Sequence, residues 1–175
     1  MAGPVNAPKP EPPLYYDDSL LRRILKDVKT IAMAGASPHW VRPSNFAMKY
    51  LQGKGFRVIP VNPGHAGKEI LGEMTYARLA DIPDRFDMVD IFRASEDAGA
   101  IADEAIEVAA EKGIRVVWMQ LGIRDDAAAE RREAAGVTVV MNSCPKIEYG
   151  RLFGELGWSG VNTGIISSKR PKLTA

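Results

Sequence analysis

Five short stretches of the chain are apolar or β-branched at nearly every position: TIAMAG at residues 30–35, RVIPVN at 57–62, MVDIF at 88–92, RVVWMQL at 115–121 and VTVVM at 137–141. Strands without polar alternation are buried on both faces, as in a parallel sheet covered by helices on either side. The segments between them carry helical spacing instead. In DDSLLRRILKDV two aspartates precede Leu20, Leu21, Ile24, Leu25 and Val28. SNFAMKYLQGKG offers Phe46, Tyr50 and Leu51 for burial and stops at glycines, and SEDAGAIADEAIEVAAEKG places Ile101, Ala105, Val108 and Ala109 on one face. DDAAAERREAAG is short and alanine-rich, and KIEYGRLFGELGW closes the series. The connection at residues 62–87 is irregular, with at most a short helix near Tyr76 to Leu79. Strands alternating with helices predict an α/β fold, a Rossmann-like doubly wound parallel sheet of about five strands in a single domain. In such a sheet ligands bind beyond the strand C-termini, where the strand order reverses.

The domain is expected over residues 14–160. It follows a Pro-rich tail at 1–13, which cannot form a helix or a central strand, and precedes a polar tail at 161–175. At 175 residues there is room for one good core. A net charge of +1 provides no bulk field to recruit nucleic acid or an anionic membrane. No apolar run approaches the ~20 residues that span a bilayer, and the N-terminus lacks a secretory pattern. One cysteine leaves no internal disulfide framework. The expectation is a soluble cytoplasmic protein. Two histidines and one cysteine without ligand spacing predict no metal site.

Helix N-termini attract anions through unpaired N–H groups and a partial positive charge. Acids occupy that field in three helices, as Asp17–Asp18, Glu96–Asp97 and Asp125–Asp126. The helix after the first strand opens instead with Ser44–Asn45–Phe46–Ala47, preceded by Arg42. A guanidinium suits a bidentate phosphate contact. Gly35 permits a tight turn, and Ser44 is a good N-cap and a hydroxyl donor. The loop is therefore expected to bind phosphate.

A nicotinamide dinucleotide site usually closes its second strand on an acid that accepts from ribose hydroxyls. Here that strand ends on Asn62, with Pro63–Gly64 turning the chain and His65 and Lys68 following. Those basic residues suit a further phosphate, either on the ribose of another nucleotide or on NADP. An NADP-dependent oxidoreductase is the alternative, disfavoured because the strand ends carry no set of proton-transfer residues.

The five strand ends read AGASPHWVRPSN, VNPGHAGK, DIFR, WMQLGI and NSCPK. In this order they resemble the small stand-alone CoA-binding proteins of bacteria and, more distantly, the N-terminal CoA-binding domain of the succinyl-CoA synthetase alpha subunit. The resemblance spans roughly residues 20–156. It implies a pyrophosphate loop running through Gly35, Ala36, Ser37, Arg42, Pro43 and Ser44. Asn62 and Pro63 would turn against the adenosine, with His65 or Lys68 near the ribose phosphate. Phe92 and Arg93 would line the adenine side. Met119, Gln120, Leu121 and Gly122 would lie along the ligand, and Cys144 would approach the thiol end. The implied ligand is coenzyme A or an acyl-CoA. No synthetase phosphohistidine domain or ATP-grasp module is present in these 175 residues, so the expectation is binding without catalysis. A subunit made catalytic by a partner chain, a homodimer, and association with an enzyme of acyl-CoA metabolism are the partner readings.

Cys144 is the one side chain with nucleophile potential. It stands before a proline and a helix start with Lys146 two residues on, an arrangement that lowers a thiol pKa. A lone cysteine is more often a small packed hydrophobe. Asp87 and Asp90 flank the third strand as a carboxylate pair and are expected to be structural. Trp118 and Trp158 are expected in the core or at an interface.

Overall fold

The computed structural model describes residues 14–154, so the two tails and Trp158 lie outside the described residues. The main sheet contains β1 (Thr30–Ala34), β2 (Arg57–Val61), β5 (Met88–Ile91), β6 (Val116–Met119) and β7 (Thr138–Val140), all parallel in the order β2-β1-β5-β6-β7. A small hairpin, β3 (Glu69–Ile70) with β4 (Glu73–Met74), lies outside it. The helices are α1 (Asp18–Asp27), α2 (Pro43–Gly53), α3 (Ser95–Glu107), α4 (Ala109–Lys112), α5 (Asp126–Ala134) and α6 (Pro145–Leu152). The order reverses between β1 and β5, which defines the switch point of a doubly wound sheet.

Alternate strand residues serve two cores. Ile31, Met33, Val58, Met88, Val116, Trp118 and Val140 pack with Leu21, Leu25, Met48 and Leu51 of α1 and α2 and with Leu152 of α6. Ala32, Ile59, Val89, Ile91, Val117, Met119 and Val139 pack with Ala98, Ala102, Ala105 and Ala129 of α3 and α5. The result is one α/β/α sandwich in which β1, β5 and β6 are almost wholly buried. Trp118 is fully buried, and its Nε1–H donates to the Ser143 carbonyl at 3.1 Å. Asp87 closes the opposite end of the sheet, where its Oδ2 accepts from the Lys29 and Thr30 N–H groups at 2.8 and 2.9 Å.

The structure corrects the sequence reading in one element. The segment 95–113 is not one helix: α3 ends at Glu107, Val108 turns with φ −97°, ψ 1°, and α4 follows. The connection between β2 and β5 is irregular as expected, with 3-10 turns at Pro63–His65 and Leu79–Asp81 and the β3–β4 hairpin, which the sequence did not show. The hairpin closes through Leu71 and Gly72 at φ 47° and 84°, the positive pair that a two-residue turn demands.

Candidate functional site

Gly35 ends β1 and brings two strand ends into contact. Its N–H donates to the Val61 carbonyl at 2.9 Å, while the Phe92 N–H donates to the Ala34 carbonyl at 2.8 Å. At φ +84° a Cβ on Gly35 would stand 2.3 Å from the Phe92 carbonyl oxygen and 3.3 Å from the Arg93 Cγ. Only glycine allows β1 and β5 to approach so closely here.

Two asparagines hold the loop that follows. Asn62 Nδ2 donates to the Ala36 carbonyl at 2.8 Å, and Asn62 Oδ1 accepts from the Gly64 N–H at 2.9 Å. Asn45, buried in α2, donates from Nδ2 to the Ser37 carbonyl at 2.9 Å. Asn45 was absent from the sequence-based site, because a buried amide inside a helix reads like any other polar position. Both bonds tie up carbonyl oxygens, which removes acceptors from the surface offered to an anion.

Arg42, not Ser44, is the N-cap of α2. Its backbone carbonyl accepts from the Asn45 and Phe46 N–H groups at 3.0 and 3.3 Å, and no side chain caps the helix. Pro43 occupies the first helical position, as its fixed φ favours, and Ser44 sits buried in the first turn. This turn carries no acid, whereas Asp18, the pair Glu96 and Asp97, Asp126 and Glu148 stand in the first turns of α1, α3, α5 and α6.

Around this loop lies a polar cavity of about 530 Å³ lined by Gly35, Ser37, His39, Arg42, Pro43, Ser44, Asn62, His65, Phe92 and Arg93. Its lining contains two guanidiniums, two imidazoles and no carboxylate. The imidazoles of His39 and His65 face each other edge to face, centroids 6.4 Å apart. Neither Arg42 nor Arg93 has an acidic partner within 4 Å among the described residues.

A second cavity, of about 610 Å³, shares Pro43, Phe92 and Arg93 with the first and runs toward β6 and α6. Gln120, Leu121 and Cys144 of the sequence-based site line it. So do Phe46, Ala47, Ala94, Ile123, Lys146 and Ile147, which sequence reasoning missed. Phe46 was expected in the core, but a helical stripe looks the same whether it faces a sheet or a groove. Lys146 Nζ lies 6.0 Å from the Phe46 ring centroid and 5.6 Å from that of Tyr50. A third cavity of about 300 Å³, on the α3 side, includes Gly35, Pro63, Arg78 and Arg93.

Four of the sequence-derived residues line none of these cavities. Ala36 is fully buried and supplies the carbonyl held by Asn62. Met119 is fully buried in the α3/α5 core, since adjacent strand residues point to opposite faces and Gln120 takes the cavity side. Gly122 turns with φ +81°, its N–H donating to Asn142 Oδ1 at 2.8 Å. Lys68 is exposed in the turn closed by its own N–H to the His65 carbonyl at 3.1 Å.

Cys144 is the N-cap of α6 and is buried. Burial, and then the Asp90 carboxyl nearby, push its thiol up to about 11, despite the N–H groups of Ile147 and Lys146. The structure takes the packed-hydrophobe reading of Cys144 over the activated-thiol one. Desolvation outweighs both the helix start and Lys146.

A reversed parallel sheet with a basic, carboxylate-free cavity at the switch point defines the class as a Rossmann-like α/β domain. The chain belongs to the CoA binding domain family, whose model matches residues 29–150. It is 33% identical over 129 residues to the uncharacterized protein YneT of Bacillus subtilis, an alignment covering 74% of this chain and 91% of that one. A hypothetical protein from Pyrococcus horikoshii superposes with a TM-score of 0.73 at 37% identity, covering 79% of this chain and 94% of that one. A protein of known structure from Thermus thermophilus gives a TM-score of 0.73 at 35% identity, covering 79% of this chain and all of the other, 100%.

Proposed function

We infer that this protein binds coenzyme A or an acyl-CoA and has no catalytic activity of its own. The observation that carries the reading is the pair of adjacent cavities that share Pro43, Phe92 and Arg93: one basic and free of carboxylates, the other apolar. Coenzyme A has that polarity, with three phosphates at one end and a long, weakly polar arm at the other. The pyrophosphate lies on the β1–α2 loop, between the first turn of α2 and Arg42. The adenosine sits across the tips of β1 and β2, with His65 at the ribose phosphate. The pantetheine arm passes Phe92 toward Gln120 and Cys144. Affinity comes from charge-assisted bonds to phosphate and from apolar burial of the arm.

A thermal-shift panel of coenzyme A, acetyl-CoA, dephospho-CoA, NAD and NADP tests the reading. The CoA compounds raise the melting temperature and the dinucleotides do not. Removing the guanidinium in Arg42→Ala costs about 2 kcal/mol, roughly thirtyfold in Kd. An equal shift with NADP would favour the oxidoreductase alternative, and an undiminished CoA shift in Arg42→Ala would remove the pyrophosphate from this loop.

A further inference from the structure

A buried acid that is not itself in the lining interacts with two residues that line the apolar cavity, Gln120 and Cys144. Asp90 lies in β5 between Met33 of β1 and Trp118 of β6 and is wholly excluded from solvent. Its Oδ1 accepts a 2.6 Å hydrogen bond from Gln120 Nε2. Its Oδ2 is equally buried and has no hydrogen-bond partner among the described residues. The residues that interact with this carboxyl are Gln120, through that bond, and Cys144, electrostatically, and both line the cavity. Buried carboxyl oxygens are rarely left unpaired, so the orphan calls for a partner.

Burial pushes the Asp90 carboxyl up to about 7, against the opposing effect of the Gln120 bond. The ionisable groups lining the cavity are the Cys144 thiol, which stays neutral, Lys146 and Arg93, and from α2 the Tyr50 phenol, also raised by burial, interacts with Cys144. The neighbouring positions on β1 and β6 are the uncharged Met33 and Trp118. The acid is therefore neutral at pH 5.5 and a carboxylate at pH 8.5. A neutral carboxyl is a hydrogen-bond donor. A carbonyl oxygen is a good acceptor for it and a thiol sulfur a poor one.

We propose that Asp90 makes this cavity selective for a thioester, its unpartnered oxygen donating to the carbonyl of an acyl group whose hydrocarbon tail lies along Phe46, Leu121 and Ile147. Gln120, long and unbranched, is the side chain that turns to admit the carbonyl. The inference rests on the coenzyme A reading above and goes further in naming acyl-CoA, rather than the free thiol, as the ligand.

The test is titration calorimetry of the full chain with butyryl-CoA, with the S-butyl thioether of coenzyme A, which has the same length but no carbonyl, and with coenzyme A itself, at pH 5.5 and 8.5. The thioester binds at least tenfold more tightly than the thioether at pH 5.5, and this ratio falls several-fold at pH 8.5. In Asp90→Asn, whose amide donates at both pH values, the ratio does not change with pH. In Asp90→Leu the ratio of thioester to thioether affinity falls to about one. Equal binding of thioester and thioether by the unaltered protein at pH 5.5 overturns the proposal, and so does a preference that is the same at both pH values. Both results come from the unaltered protein, so they hold even where a variant fails to fold. Binding of none of the three ligands overturns the coenzyme A reading itself, whereas binding of all three without a carbonyl preference overturns only this inference.

Discussion

Replacing Gly35 by alanine tests the contact on which the whole site is built. The added Cβ meets two penalties. The first is a left-handed backbone, φ +84°, which costs an L-residue roughly 1–2 kcal/mol. The second is the Phe92 carbonyl oxygen 2.3 Å away. That distance can be relieved only by separating β1 from β5, which breaks the 2.8 Å bond from the Phe92 N–H to the Ala34 carbonyl, about 1 kcal/mol more. The sum is about 2–3 kcal/mol, or roughly 8 °C in melting temperature for a domain of this size. Gly122 supplies the control, because it has φ +81° and nothing within 4 Å of its Cβ position. Gly122→Ala therefore carries the same backbone strain without the clash and loses roughly 1–2 kcal/mol, about 1 kcal/mol less than Gly35→Ala. Both variants gain similarly from a stiffer unfolded chain, so that contribution cancels in the difference. Urea denaturation followed by circular dichroism measures both. Equal losses would refute the argument that close approach, rather than backbone conformation, demands glycine at 35. Gly35→Ala also moves Phe92 and Arg93, the wall shared by the two large cavities, so the stabilisation by coenzyme A shrinks with it.

Two further outcomes follow from the buried groups. Asp90 is raised from 3.8 to about 7, so the folded state holds a proton that the unfolded state releases. Its stabilising effect is complete below pH 3.8 and is lost as pH rises through about 7, a change of about 4 kcal/mol at about 1.4 kcal/mol per pH unit. Urea unfolding at pH 4 and pH 8 will show this fall in the unaltered protein and a flatter profile in Asp90→Asn; identical profiles would contradict it. Cys144, raised from 9.0 to about 11, will react with iodoacetamide at pH 8 about a hundredfold more slowly than an exposed thiol. A rate equal to that of a free cysteine would show that the thiol is not desolvated.

The sheet was legible in the sequence because its strands are buried on both faces, and uninterrupted apolarity is a strong signal. The hairpin at Glu69–Met74 was not, since its turn uses Leu71–Gly72 rather than the Asn-Gly or Asp-Gly that marks such turns. Gly35, Arg42 and His65 were legible as residues following strands, and the structure gathers all three around one cavity. The resemblance assigned Met119 to Gly122 to the ligand as one segment, and the alternation along the strand places the Met119 side chain in the α3/α5 core. Cys144 shows the limit most clearly. Its local sequence favours a thiolate, yet its protonation is set by burial and by Asp90, a residue 54 positions earlier that only the parallel sheet brings alongside.

The most direct measurement is the crystal structure of the protein grown with coenzyme A. The diphosphate will rest on the loop from Gly35 to Ser44 within reach of Arg42, and the arm will pass Phe92 into the apolar cavity. A diphosphate seated at any other helix end, or an arm lying outside that cavity, would contradict the account.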